Sequence, residues 1–158
     1  MDVNTIKNVR IVKETQAMND DPGCYLQIHG VKCDGEFMPV LERPYKFEFI
    51  GDSITSGEGV IGAKAEEDWI PMCFSSFHNY ASITAQTLNA DYRIISQSGW
   101  GVLTGWDNNP HCNIPEYYNK VCGLLTGKKN ESLGAFEENN FDSWQPDVVV
   151  VNLGTNDA

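Results

Sequence analysis

Phe47-Glu48-Phe49-Ile50-Gly51-Asp52-Ser53-Ile54-Thr55 is the stretch that decides the fold. Its first half alternates β-favouring residues as a buried strand does, and it breaks off at glycine, aspartate and serine, where a strand hands over to a loop or helix. Open α/β sheets place their ligands outside the carboxyl ends of the parallel strands, so a serine at that point is presented rather than buried. Ser53 is a candidate nucleophile. Gly-Asp-Ser also makes ordinary turns in which short polar side chains bond nearby backbone, and the tripeptide alone does not separate the two readings.

Two later runs end the same way. Tyr92-Arg93-Ile94-Ile95-Ser96-Gln97-Ser98-Gly99-Trp100-Gly101 and Val148-Val149-Val150-Val151-Asn152-Leu153-Gly154-Thr155-Asn156-Asp157 are strand-like and finish in small or polar residues. If the three strands lie parallel in one sheet, their ends bring a serine, a glycine-flanked backbone and an asparagine amide to one rim. Acyl transfer needs those parts, because the oxyanion of the tetrahedral intermediate must meet donors already in place. Ser53 would attack and offer its own N–H. Gly99 would add a second N–H with no side chain in the way, and Asn156 a third from its amide.

Gly51-Asp52-Ser53-Ile54, Ser98-Gly99 and Gly154-Thr155-Asn156-Asp157, in that order, resemble the first three blocks of the SGNH hydrolases, also called GDSL esterases and lipases. The narrower resemblance is to the acetyl-ester-removing branch, the second carbohydrate esterase family, whose members join a β-sandwich to the hydrolase domain. It is carried by residues 48–59 and 144–157 and covers the chain from about Tyr45 to Ala158. The resemblance implies a three-layer α/β fold on a parallel sheet of order 2-1-3-4-5. It also implies Ser53 as nucleophile, with Gly99 and Asn156 as oxyanion donors.

The last block of that family, Asp-x-x-His, supplies the general base, and it is absent from these 158 residues. His29, His78 and His111 are the histidines present, none in an Asp-x-x-His context. His111 follows the second block on an expected loop and reads as a solvated histidine, while His78 opens a helix-like segment. Only three of five expected strands are represented, and Val148–Leu153 would be an apolar edge without its outer neighbour, a site for association. The expectation is a truncated or cleaved piece of a longer protein, or a chain whose remaining polypeptide another chain supplies.

Residues 1–44 are expected to be strands from a β-sandwich-like accessory region, and residues 45–158 the N-terminal part of the hydrolase domain. Asn8–Thr15 and Tyr25–Val31 alternate polar and apolar residues, and Cys33-Asp34-Gly35 is a turn signal. Two or three strands are marginal alone, so they belong to a larger sandwich or pack on the hydrolase part. Pro39 and Pro44 bracket the connector. Between the first two blocks, Ala63–Asp68 reads as an acidic solvated loop. Asn79–Leu88 has apolar positions at helical spacing, with Asn89 as its stop. A further helix is expected over Pro115–Leu125, with proline in its first turn, and a loop over Lys128–Asn140.

Gly57-Glu58-Gly59-Val60-Ile61-Gly62 fits G-x-G-x-x-G, but six residues separate it from the strand end, Pro71 follows soon after, and a nucleotide site is not expected. No His-Glu-x-x-His or paired Cys-x-x-Cys suggests a metal, and no cofactor is expected. A formal charge of -11 argues against nucleic acid and anionic membranes as partners and favours a neutral substrate. Acetylated carbohydrate, or another small ester, fits. The apolar runs are too short to span a membrane, and the resemblance leaves a secreted or cell-surface location open. Five cysteines at irregular spacing cannot all pair and read as free, partly buried thiols.

Trp100 and Trp106 flank the second block, and Trp100 is weighed as a sugar-stacking ring against packing in the core. Asp52 and Asp157 are expected to fix turns through their carboxylates rather than to act as a triad acid. Together these features point to a serine esterase that deacetylates carbohydrate. Two alternatives stay open: a lipase or thioesterase of the same fold, and a non-catalytic carbohydrate-binding relative.

Overall fold

The structure, a computed structural model, describes residues 5–18, 21, 23–64 and 69–157. A parallel three-stranded sheet of order β2-β1-β3 organises it: β1 is Tyr45–Gly51, β2 Ala90–Ser96 and β3 Val148–Asn152. The register runs from Tyr45 opposite Ala90 to Gly51 opposite Ser96, and on the other side from Phe47 opposite Val148 to Gly51 opposite Asn152. All three strands therefore stop level with one another. The expected α/β architecture and the first three places of the strand order are observed.

α1 is the single turn Ser53–Ser56, and α2 runs Tyr80–Thr87. Asn79 caps α2 by accepting from Ser82 N–H, and Asn89 leaves the helix with φ +50°, as its place in the sequence predicts. Alternate residues of a strand face opposite ways. Phe47 and Phe49 pack with Ala81 and Ala85 of α2 and with Ala90 to form the core, and the small residues of α2 let the helix lie close on the strand. Glu48 points to the other face and is 1% exposed. Its carboxylate accepts from the Tyr118 hydroxyl at 2.7 Å, while the neighbouring Arg93 guanidinium lies 4.7 Å over the Trp144 ring. Burial, reinforced by Glu48, pushes the Tyr118 hydroxyl up to about 12, with Arg93 pulling the other way.

Three expectations are corrected. The helix over residues 115–125 is one turn, α3 (Ile114–Tyr117), capped by Asn113. Beyond it, Val121 N–H donates to Glu137 O and Cys122 N–H to Ala135 O, so the donors a longer helix needs are taken by a returning segment. The expected loop 128–140 contains a short helix, α4 (Lys128–Ser132).

The expected strands Asn8–Thr15 and Tyr25–Val31 are not formed among the described residues. Residues 5–44 hold one isolated bridge, Met18 with Asp21, and no ladder. A strand exists only through its partner, and the backbone around residues 13–17 accepts from Ser76 and Gln97 instead. Of the acidic stretch 63–68, only Ala63 and Lys64 lie within the described residues. Gly57–Gly62 runs as turns after α1 and opens no helix. All five cysteines are free. Among the described residues no helix is long and apolar enough to cross a membrane.

Candidate active site

The site is built where the three strands stop. Ser53 stands two residues beyond Gly51, Gly99 three beyond Ser96 and Asn156 four beyond Asn152, and these strand ends are register partners. The three residues thus leave the same end of the sheet. Asp52 fixes the turn at Ser53: its carboxylate accepts from Ile54 N–H at 3.1 Å and caps α1. At the other end of that turn Gly57, φ +77°, donates to Ser53 O. Ser53 is half-buried, and among the described residues its hydroxyl has no hydrogen-bond partner.

Gly99 also sits at φ +77°. Its carbonyl accepts from Trp106 N–H at 2.9 Å, while its own N–H meets no protein acceptor among the described residues. The Asn156 amide donates one N–H to Trp100 O at 2.9 Å, which orients the group and leaves a second N–H on the same nitrogen. Asp157 accepts from the backbone N–H groups of Val102, Leu103 and Thr104 at 2.8, 2.6 and 3.2 Å. Those bonds, Leu103's foremost, hold its carboxyl below the usual aspartate range. Asn156 and Asp157 together tie the end of the third strand to the loop after the second. Asp52 and Asp157 both bond backbone, as their places in the sequence suggest.

Trp100 is 5% exposed, and its ring centroid is 4.8 Å from that of Tyr117. That position supports packing. The open ring is Trp106, 75% exposed, which lies against Gly99: a Cβ on Gly99 would come within 2.7 Å of its Cδ1.

No histidine bonds Ser53 among the described residues. His78 Nδ1 is 2.8 Å from Ser75 Oγ, and His111, largely exposed, stands 3.9 Å from Glu116. His29 is exposed. His111 is thus the solvated loop residue its context suggests. A cavity of 640 Å3 opens between residues 12–17 and β2, but its lining includes none of Ser53, Gly99 and Asn156. Among the described residues no cluster of His, Cys, Asp and Glu is placed to hold a metal ion.

Sequence reading left open that the N-terminal residues pack here, but it did not identify the contacts made by residues 13–18. Gln16 Oε1 accepts from Ser98 N–H at 2.9 Å, and Glu14 accepts from Ser75 Oγ and Phe77 N–H. Partners 82 and 61 residues apart leave no local signal.

Comparison with known proteins points one way. The cellulase/esterase CelE of Acetivibrio thermocellus is 38% identical over 117 residues, 74% of this chain and 13% of that protein. The acetyl xylan esterase Est2A of the rumen bacterium Butyrivibrio proteoclasticus superposes with a TM-score of 0.79 at 56% identity, over 91% of this chain and 39% of that one. A family two carbohydrate esterase from Clostridium thermocellum, solved in complex with cellohexaose, gives 0.63 at 35% identity, over 77% and 34%. The chain is similar to these esterases and spans well under half the length of each. No family profile matches it.

Proposed function

We propose that the protein to which this chain belongs is a serine ester hydrolase of the SGNH type that removes acetyl groups from carbohydrate. The observation that carries the reading is the register of the sheet, in which Gly51 pairs with both Ser96 and Asn152 and so sends Ser53, Gly99 and Asn156 out of one end. In the reaction, the Ser53 oxygen attacks the acetyl carbonyl carbon and its proton passes to a general base. The N–H groups of Ser53 and Gly99 and the free N–H of Asn156 receive the oxyanion. Collapse expels the sugar oxygen, which takes up the proton, and water then releases acetate from the acetyl-serine.

The base is assigned to a histidine by the resemblance to the SGNH esterases; among the described residues none of His29, His78 and His111 is engaged with Ser53. The substrate class comes from the likeness to acetyl xylan esterase and to a cellohexaose-bound esterase, together with the acidic charge of the chain. Residues 1–44 are assigned to an accessory region and the remainder to the hydrolase module.

The test is deacetylation of acetylated xylan by the full-length protein. Ser53→Ala abolishes it, and Asn156→Ala lowers turnover by about a hundred- to a thousandfold, the usual loss for one oxyanion donor. An active Ser53→Ala enzyme refutes the reading. Wild-type protein that binds the polymer without releasing acetate identifies a binding relative. Preference for long acyl esters identifies a lipase.

A further inference from the structure

We infer that Gln16, which lies ahead of the sheet in the accessory region, is a positioning residue for the Gly99 N–H; the inference rests on Gly99 being an oxyanion donor. Glycine adopts the left-handed conformation readily but has no intrinsic reason to stay there. Something must hold the peptide. On the downstream side, Trp106 N–H is bonded to Gly99 O. On the upstream side the partners come from a segment 82 residues away: Gln16 Oε1 takes Ser98 N–H at 2.9 Å, and Ala17 O takes Gln97 Nε2 at 3.1 Å. Gln97 and Ser98 are buried, so these groups have no water to turn to.

The segment is itself anchored at both ends. Met18 is buried, and Gln16 Nε2 lies 3.9 Å from its sulfur, which fixes which way the amide faces. At the other end Glu14 holds Ser75 Oγ and Phe77 N–H, Glu14 O accepts from Ser76 N–H, and Thr15 Oγ1 donates to Pro71 O. Ser75 N–H in turn bonds Gly57 O, the cap of the turn that carries Ser53. One strap therefore braces both the nucleophile's turn and the loop of the second donor. Donors aimed before the reaction begins are what make an oxyanion hole effective, and a donor's aim depends on the groups behind it.

The test uses the full-length protein with p-nitrophenyl acetate. Gln16→Met keeps the length of the side chain and removes the acceptor. It is expected to lower kcat about tenfold, less than loss of a donor itself, with KM close to wild type. Thr87→Val, which cuts an exposed side-chain bond to Ile83 O within α2 and touches no strap residue, is expected to keep wild-type kcat. In the wild-type protein the Ser98 amide is expected to exchange slowly with deuterium, a measurement that needs no variant to fold. Unchanged kcat in Gln16→Met, an effect confined to KM, or an unprotected Ser98 amide overturns the inference. An inactive Ser53→Ala beside any of those results leaves the esterase reading standing, and an active one removes both.

Discussion

Gly57 and Gly99 share φ +77°, so replacing each by alanine imposes the same backbone penalty, about 1–2 kcal/mol for an L-residue in the left-handed region. The reduced freedom of the unfolded chain offsets about 0.4–1 kcal/mol of it in both. What differs is the neighbour. A Cβ on Gly57 would lie 2.2 Å from Ser75 O and 2.7 Å from Ser75 C, backbone atoms that cannot swing aside. Relieving the clash pushes the 71–78 loop away from α1, an overpacking cost of about 1–3 kcal/mol, and stretches the 2.9 Å bond from Ser75 N–H to Gly57 O, which contributes about 1 kcal/mol more. A Cβ on Gly99 meets only the Trp106 ring, which is open to solvent and can rotate outward. Gly57→Ala is therefore expected to destabilise by about 2–4 kcal/mol more than Gly99→Ala, and so to melt at the lower temperature. Activity reverses the ranking at temperatures where both are folded, because only Gly99→Ala disturbs a proposed donor directly. Thermal denaturation of the two full-length variants, with acetyl-ester turnover measured at 20–25 °C below the lower midpoint, decides the matter. Equal midpoints would refute the claim that the backbone contact at Ser75 governs the Gly57 turn.

Three further outcomes are expected. Tyr118, with its hydroxyl raised to about 12, stays protonated in the folded state above pH 10, so the stability it contributes is present below about pH 10 and is lost between there and about pH 12; ultraviolet titration of wild type against Tyr118→Phe reads this directly. The same substitution leaves the buried Glu48 short of a donor and costs about 1–3 kcal/mol in urea denaturation. Asp157 has a lowered carboxyl, so its hold on the 102–104 loop is full above the usual aspartate value and fades as pH falls through the lower folded one; protection of the Val102, Leu103 and Thr104 amides, measured against their intrinsic exchange rates, is expected to fall at acid pH in wild type and already at neutral pH in Asp157→Ala. The outer edge of β3 exposes Val149 and Val151, so the 158-residue chain expressed by itself associates, and Val151→Lys shifts it toward monomer in sedimentation. An unchanged size distribution would remove that edge as the contact.

The sequence by itself determined the elements whose signals are local. β1, β2 and β3 show as β-favouring runs closed by small polar residues, α2 as a helical spacing between Asn79 and Asn89, and Asp52 as the residue that turns the chain into Ser53. Each of these depends on backbone geometry over a few residues. Only the tertiary structure decided the rest. Residues 8–15 alternate as a strand would, yet pairing requires a partner the alternation cannot specify, and the backbone from Lys13 to Ala17 went to Ser76 and Gln97 instead. The helix after Ile114 ends after one turn because Ala135 and Glu137, farther along the chain, take its donors. Glu48 looks like an interruption in an apolar strand until Tyr118, 70 residues on, supplies the hydrogen bond that makes its burial tolerable. A local pattern can state which groups need a partner, but which distant residue satisfies them depends on how the whole chain packs.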